Sequence, residues 1–144
     1  MNLKIKKLHP DAVLPKRATD ASAGYDLCAR LDTPVALESG NRTLIPTGIA
    51  IGLPGPETVG LIYARSGLAT QYGLALSNGV GVIDSDYTGE VKVGLINLSD
   101  TAYIIKPGER IAQLVIAPIL LPEIVETELE ETMRGSGGFG STGN

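Results

Sequence analysis

The chain has 144 residues, of which 43% are hydrophobic and 19% charged, and its formal net charge is −4. This length fits one domain, and the apolar fraction excludes a wholly disordered chain. The negative net charge offers no basic surface for a nucleic acid, so an anionic ligand would need locally placed cations. We therefore expect one globular domain that binds no nucleic acid.

A lone cysteine, Cys28, and a lone histidine, His9, restrict the compartment and the chemistry. One cysteine cannot form an intrachain disulfide, and the sequence does not open with the charged and then apolar pattern of a leader peptide. We therefore expect a cytoplasmic protein. The longest apolar stretch, 111–121, is too short to span a bilayer, so we expect no membrane partner. The same residue counts exclude a Cys/His zinc site within the chain, and imidazole catalysis would depend on His9 alone.

Short β-branched runs separated by Gly and Pro recur along the chain, a pattern that predicts strands joined by tight turns. The predicted strands cover 3–8, 25–30, 43–45, 49–53, 59–64, 90–98, 103–106, 111–119 and 124–129. One short helix is predicted, over 66–72. Many short strands at this spacing indicate an all-β sandwich, jelly roll or small barrel.

The predicted strand 111–119 has apolar residues on both faces. A central sandwich strand explains this pattern, and so does a strand that faces a neighbouring subunit; we favour the oligomer. Gln113 lies within this apolar run, where an unpaired buried amide would cost about 1–3 kcal/mol. We therefore expect Gln113 to have a hydrogen-bond partner.

Three further segments concentrate acidic and basic side chains. Asp26 opens an apolar strand, and Arg65 lies where a strand gives way to the predicted helix, with Ser66 as the expected N-cap beside a candidate anion site. The segment 78–90 has the pattern of a hairpin that carries two acids and a tyrosine. A hydrolase built from such residues would use a carboxylate as general base, with a divalent cation and arginines to bind phosphates.

The C-terminal segment 134–144 contains five glycines together with Arg134, Phe139, Ser141 and Thr142. Its backbone is free to adopt positive φ and is entropically costly to order. This composition is typical of a Gly/Ser linker. An arginine, a ring and two hydroxyls also suit a mobile segment that covers a flat ligand carrying phosphate.

Taken in chain order, these segments resemble the five motifs of the trimeric dUTPase family. The matching segments are 23–27, 64–69, 78–90, 108–114 and 134–143. The resemblance implies a jelly-roll-like β-clip sandwich with one short helix, in which residues 1–133 form the β-domain and 134–144 a flexible active-site tail. It implies hydrolysis of dUTP to dUMP and pyrophosphate, which keeps uracil out of DNA and supplies dUMP for thymidylate synthesis. It also implies Mg²⁺ dependence and a homotrimer whose three active sites each draw on all three chains.

The resemblance also implies a role for each polar residue. Asp84 would deprotonate the water that attacks the α-phosphorus. Tyr87 would lie under the deoxyribose, where it leaves no room for a 2′-hydroxyl, and Asn78 would bind the uracil edge. Asp26 would contact Mg²⁺ through its water shell. The phosphates would be held by Arg65, Ser66, Gly67 and Gln113, and, in the tail, by Arg134, Ser141 and Thr142, while Phe139 stacks on uracil.

Two positions depart from the family pattern, and three other functions compete with the dUTPase interpretation. Ala64 stands where proline is frequent and Tyr72 where histidine is frequent; neither is a proposed contact. A dCTP deaminase would need a glutamate base, which the segment 83–87 lacks. The second competing function is nucleotide binding or partner binding without catalysis, and the third is RNA binding by the glycine-rich tail.

Overall fold

The computed structural model describes residues 1–138, which form ten strands and one short helix. The strands are β1 (Lys4–Lys7), β2 (Tyr25–Cys28), β3 (Val35–Leu37), β4 (Arg42–Gly52), β5 (Thr58–Ala64), β6 (Leu74–Leu76), β7 (Gly81–Ile83), β8 (Glu90–Asn97), β9 (Tyr103–Ile105) and β10 (Arg110–Pro118). The helix α1 covers Ser66–Tyr72.

Two four-stranded antiparallel sheets enclose the core. One has the strand order β1-β4-β8-β6 and the other β2-β10-β5-β7, while β3 and β9 form a separate pair. Buried side chains of both sheets belong to one apolar cluster, with Ile45 and Val93 from the first sheet and Leu27 and Leu114 from the second. The prediction of an all-β sandwich with one short helix is confirmed.

Strand β4 joins two segments, 43–45 and 49–53, that the sequence pattern predicts as separate strands. Its register against β8 shifts between Pro46 and Ala50, and Gly48 has a φ of 69°. At this bulge the backbone hydrogen bonds between β4 and β8 are interrupted, and a side-chain bond replaces one of them. The Thr47 hydroxyl donates to the Val91 carbonyl at 2.6 Å. Proline and glycine therefore bend one strand here and do not end it.

The predicted helix is confirmed, but its N-cap is Arg65, which has extended backbone angles and no side-chain capping bond. Ser66 is the first helical residue, so the expected cap at that position is wrong. At the other end, Gly73 adopts a φ of 68°, and a β-carbon there would lie 2.8 Å from the backbone nitrogen of Ser99. Within residues 1–138 no helix has the length and apolar character needed to cross a membrane.

The predicted strand 124–129 does not form. Within residues 1–138 the last element of regular structure is β10, which ends at Pro118, and residues 120–132 have no strand or helix. Their apolar side chains are exposed, including Ile124 at 100% and Leu129 at 89%. A strand needs a neighbour for its backbone groups, and within residues 1–138 this segment has none to pair with.

Candidate active site

Asn78, Asp84 and Tyr87 line one cavity of about 390 Å³. The cavity forms because residues 84–89 pass from one sheet to the other. Strand β7 pairs with β5, with Ile83 opposite Gly60, whereas β8 pairs with β4 and β6. The interpretation of 78–90 as a hairpin is therefore wrong, since β7 and β8 lie in different sheets.

The turn after β7 exposes Asp84 and fixes Tyr87. The backbone N–H of Tyr87 donates to the Asp84 carbonyl at 3.1 Å, and the Tyr87 hydroxyl donates to the Glu90 carbonyl at 2.9 Å. Among residues 1–138 the Asp84 carboxylate has no ion-pair or hydrogen-bond partner. An exposed carboxylate without a competing donor is available to accept a proton from water.

Asp26, Arg65 and Arg110 form a second cluster, at the start of β10. Arg65 Nε donates to Asp26 Oδ1 at 3.0 Å, and Arg110 Nη1 donates to Asp26 Oδ2 at 3.1 Å. Arg65 Nη1 also donates to the carbonyl oxygen of Arg110 at 3.3 Å. The Asp26 side chain is 19% exposed, so its charge is compensated by two guanidinium groups in a largely enclosed position.

Gln113 has the hydrogen-bond partner that the sequence pattern predicts. Its Nε2 donates to the Ala64 carbonyl at 3.0 Å, which ties β10 to the end of β5 just before Arg65. Gly24 lies against this amide, and a β-carbon on Gly24 would lie 2.5 Å from Gln113 Oε1. Because Gln113 pairs with Asp26 across β2 and β10, its amide and the Asp26 carboxylate are directly adjacent across the sheet.

Of the remaining predicted residues, Ser66, Gly67 and Arg134 make no hydrogen bond to either group among residues 1–138, and the others lie outside the described residues. Ser66 and Gly67 are exposed at the start of α1. Arg134 Nε donates to the Gly137 carbonyl at 2.9 Å, within its own turn. Phe139, Ser141 and Thr142 lie outside the described residues, so their assignments stay predictions.

Within one chain the Asp84 cavity and the Arg65 cluster are far apart. Ile83, the residue before Asp84, pairs with Gly60, and Arg65 is the fifth residue after Gly60, directly beyond the end of β5. At 3.3–3.4 Å per residue, the backbone of Arg65 lies about 17 Å from that of Gly60. Within one chain, Asp84 and Arg65 therefore project from well-separated backbone positions.

Two ionisable groups next to these clusters have displaced pKa values. Burial, then the Asp26 charge, raises the pKa of the Cys28 thiol, which keeps it protonated at neutral pH. Burial, then the hydrogen bond to Glu109, raises the pKa of Tyr103. The Tyr103 ring lies 5.1 Å from that of Tyr72, centroid to centroid, so it supports the C-terminal end of α1.

Sequence reasoning missed Arg110, Gly24 and Gly89, all of which contact predicted site residues. A β-carbon on Gly89 would lie 2.5 Å from the Tyr87 hydroxyl oxygen. Their partners are apparent only after the strands are paired, although the glycines already stand inside two of the motifs. Within residues 1–138 no group of three or more His, Cys, Asp or Glu side chains forms a metal cage.

Comparison with known proteins agrees with this architecture. The dUTPase family model matches residues 11–143. A deoxyuridine 5′-triphosphate nucleotidohydrolase of Desulfitobacterium hafniense is 52% identical over 131 residues, covering 90% of this chain and 87% of the relative. One from Rhodococcus erythropolis is 50% identical over 145 residues, covering 99% of this chain and 87% of the relative.

Solved structures lead to the same family. The dUTPase of Staphylococcus bacteriophage 80alpha, solved with dUPNHPP, has a TM-score of 0.88 and 32% identity, covering 99% of both chains. A mutant dUTPase from phage phi11 of S. aureus, reported with a structural Mg(II) ion, has a TM-score of 0.82 and 27% identity, covering 92% of this chain and 100% of that one. Sequence and architecture agree, and the chain belongs to the dUTPase family.

Proposed function

We propose that this protein hydrolyses dUTP to dUMP and pyrophosphate through attack of water on the α-phosphorus. The observation that carries the proposal is the cavity shared by Asn78, Asp84 and Tyr87, which combines an amide, a carboxylate and an aromatic ring. Its volume of about 390 Å³ lies within the usual range of small-molecule sites. The names of the relatives, and the dUPNHPP in the phage 80alpha structure, support the same substrate.

In this proposal the cavity residues perform the chemistry and select the substrate. Asp84 accepts a proton from the attacking water as its oxygen bonds to the α-phosphorus, and pyrophosphate leaves with the electrons of the broken P–O bond. The Asn78 amide donates to one atom of the uracil edge and accepts from the next. Tyr87 packs on the deoxyribose and excludes a 2′-hydroxyl by steric clash.

The phosphates would be bound by groups that still have free donors. Arg65 uses two of its five N–H bonds on partners within residues 1–138, and Gln113 Nε2 uses one of its two. Ser66 and Gly67 add a hydroxyl and a backbone N–H at the start of α1. We treat 134–144 as a tail distinct from the β-domain 1–133, in which Arg134, Ser141 and Thr142 contact the β- and γ-phosphates and Phe139 stacks on uracil.

The cofactor in this proposal is Mg²⁺, and the donor set around Asp26 fits it. A carboxylate has about four acceptor positions, and the two arginines occupy two of them, so Asp26 can still accept hydrogen bonds from metal-bound water. Mg²⁺ usually keeps several waters and is held by one or two carboxylates together with substrate phosphates. When bound, it would neutralise charge on the triphosphate; Asp26 would hold its water shell in position.

A homotrimer with shared active sites would bring Asp84 of one chain next to Arg65 of another, although the two residues project from well-separated backbone positions within one chain. A general base must lie about 3 Å from the water it activates, so Asp84 and the phosphate-binding Arg65 would come from different chains. The exposed apolar side chains Leu121, Ile124 and Val125 support an association that buries them. Light scattering tests the trimer, and an active monomer would contradict shared sites.

Mixing two inactive variants tests the sharing directly. Asp84→Asn and Arg65→Gln each remove one half of the proposed site. Trimers reassembled from both variants would contain some sites with an intact Asp84 and an intact Arg65, so activity should partly return. A mixture as inactive as its parents, with subunit exchange verified, would contradict the shared site.

Pyrophosphate and ammonia release from dUTP, UTP, dTTP and dCTP tests the reaction itself. We expect pyrophosphate from dUTP, with much slower reaction of the other three nucleotides. Ammonia release from dCTP would identify a deaminase. Nucleotide binding without turnover in Mg²⁺ would identify a protein that has lost catalysis.

A further inference from the structure

We propose that Arg110 is a positioning residue that keeps the guanidinium group of Arg65 available for phosphate, acting through the carboxylate of Asp26. This inference rests on the proposed function, in which Arg65 binds the triphosphate. Arg110 stands at the first position of β10, three residues before Gln113. It makes no contact with the cavity of Asp84, Asn78 and Tyr87 within the part of the chain that the structure describes.

A β-bulge directs Arg110 towards the Asp26 cluster. Arg110 pairs with Cys28 and Gln113 pairs with Asp26, with a one-residue shift in register just after Arg110. Paired residues point to the same face, and residues two apart on a strand share a face, so all four side chains lie on one side of the sheet. Without the bulge, Arg110 and Gln113 would point to opposite faces because they are three residues apart.

Each member of the cluster contacts the other two. The Arg110 side chain donates to Asp26 Oδ2 at 3.1 Å, and its carbonyl accepts from Arg65 Nη1 at 3.3 Å. Arg65 Nε donates to the other oxygen, Asp26 Oδ1, at 3.0 Å. Arg110 therefore binds Asp26 through its side chain and Arg65 through its backbone carbonyl.

The two oxygens of Asp26 are shared between Arg110 and Arg65, and this sharing determines which N–H groups of Arg65 stay free for phosphate. An arginine and a carboxylate left to themselves favour a bidentate pair with two parallel N–H···O bonds. In the structure Arg110 donates to Oδ2 and Arg65 donates only its Nε–H to Asp26, so three of the five Arg65 N–H groups remain without a partner among residues 1–138. Without the Arg110 side chain, Asp26 would turn both oxygens to Arg65 and withdraw donors from phosphate.

A double-mutant cycle separates this role from a direct phosphate contact. The nonhydrolysable imido analogue of dUTP would be titrated calorimetrically, at fixed Mg²⁺, into wild type, Arg110→Gln, Asp26→Asn and the double variant. Arg110→Gln should weaken binding about tenfold in the wild-type background, since charge-assisted hydrogen bonds are involved. In the Asp26→Asn background the same change should cost less than about twofold, because no carboxylate is left to capture Arg65.

Matched variants exclude a merely structural effect. Arg110→Lys keeps one charged donor for Oδ2 and should bind within about threefold of wild type. Arg42→Gln, which removes an exposed arginine from β4, should leave affinity unchanged. All variants should keep the melting temperature and oligomeric state of wild type.

The positioning role would be overturned if Arg110→Gln weakened analogue binding equally in the wild-type and Asp26→Asn proteins. It would also be overturned if Arg110→Gln bound the analogue as tightly as wild type. Pyrophosphate release by wild type tests the proposed function separately. If wild type neither hydrolyses dUTP nor binds the analogue, the ligand-free ¹⁵N spectrum of the arginine Nε–H groups still tests Arg110. Arg110→Gln must shift the Arg65 signal and Arg42→Gln must not; an unmoved Arg65 signal would refute the inference.

Discussion

The ring of Tyr87 lies against Gly89 so closely that a β-carbon on Gly89 would be 2.5 Å from the Tyr87 hydroxyl oxygen. The hydroxyl is held there because it donates to the Glu90 carbonyl at 2.9 Å. Any side chain at position 89 must displace the ring. The proposed selection against a 2′-hydroxyl therefore depends on a glycine that forms no part of the proposed substrate contact.

Gly89→Ala should lower the preference for dUTP over UTP by roughly tenfold, because the displaced ring no longer fills the space of the 2′-hydroxyl. Tyr87→Ala should lower it at least as much. The measurement is kcat/KM for both nucleotides. Gly55→Ala is the matched control, since nothing lies within 4 Å of a β-carbon there. Unchanged selectivity in both variants would contradict the steric role of Tyr87.

Asp84→Asn should lower turnover of dUTP by roughly 10²–10⁴, the usual contribution of a general base. Nucleotide affinity should survive, since the amide has nearly the same size and only the proton acceptor is lost. Single-turnover kinetics and calorimetry with the imido analogue give the two quantities. The control is Asp86→Asn, which removes another carboxylate from the same turn. Near-normal turnover in Asp84→Asn would remove this residue from the mechanism.

Deletion of residues 134–144 should lower activity by roughly 10²-fold or more, because the tail would no longer exclude water or align the phosphates. The folded oligomer should remain, since among residues 1–138 the last fully buried core residue is Leu114 and the last strand, β10, ends at Pro118. Light scattering and thermal melting check the assembly. A shorter deletion of 143–144 serves as the control. Normal hydrolysis by the longer deletion would show that the tail is dispensable.

Tyr103 should make stability fall at alkaline pH. Burial, then its hydrogen bond to Glu109, raises its pKa above the ordinary value of about 10. A raised folded-state pKa contributes stability that is fully present below about pH 10 and is lost as the pH rises through the folded value. The free energy of unfolding of wild type should therefore decline relative to Tyr103→Phe as the pH rises above about 10, the unfolded-state value.

Ultraviolet titration gives an independent measurement of the same group. Of the five tyrosines in the chain, one should ionise late in wild type, and that late step should be missing from Tyr103→Phe. If the free energies of unfolding of wild type and Tyr103→Phe change with pH in the same way, the raised pKa of Tyr103 is contradicted.

The element types are largely predictable because they depend on local chemistry. β-branched runs bounded by Gly and Pro identify most of the strands, and the helix 66–72 has the predicted limits. The prediction fails where neighbours decide the outcome. The segment 124–129 has strand composition but no partner strand within residues 1–138, and Pro46 with Gly48 bends β4 instead of ending it.

The order of residues along the chain is enough to specify the fold class, the five motifs and the identities of the polar residues proposed for the site. The contacts between those residues depend on how the strands pair. Asp26 and Arg110 are 84 positions apart, and their contact depends on a register shift in β10 that no local pattern encodes. The separation of Asp84 from Arg65 likewise follows from the pairing of β7 with β5. Strand register is set by packing across the whole sheet, so these relationships emerge only when the chain is folded.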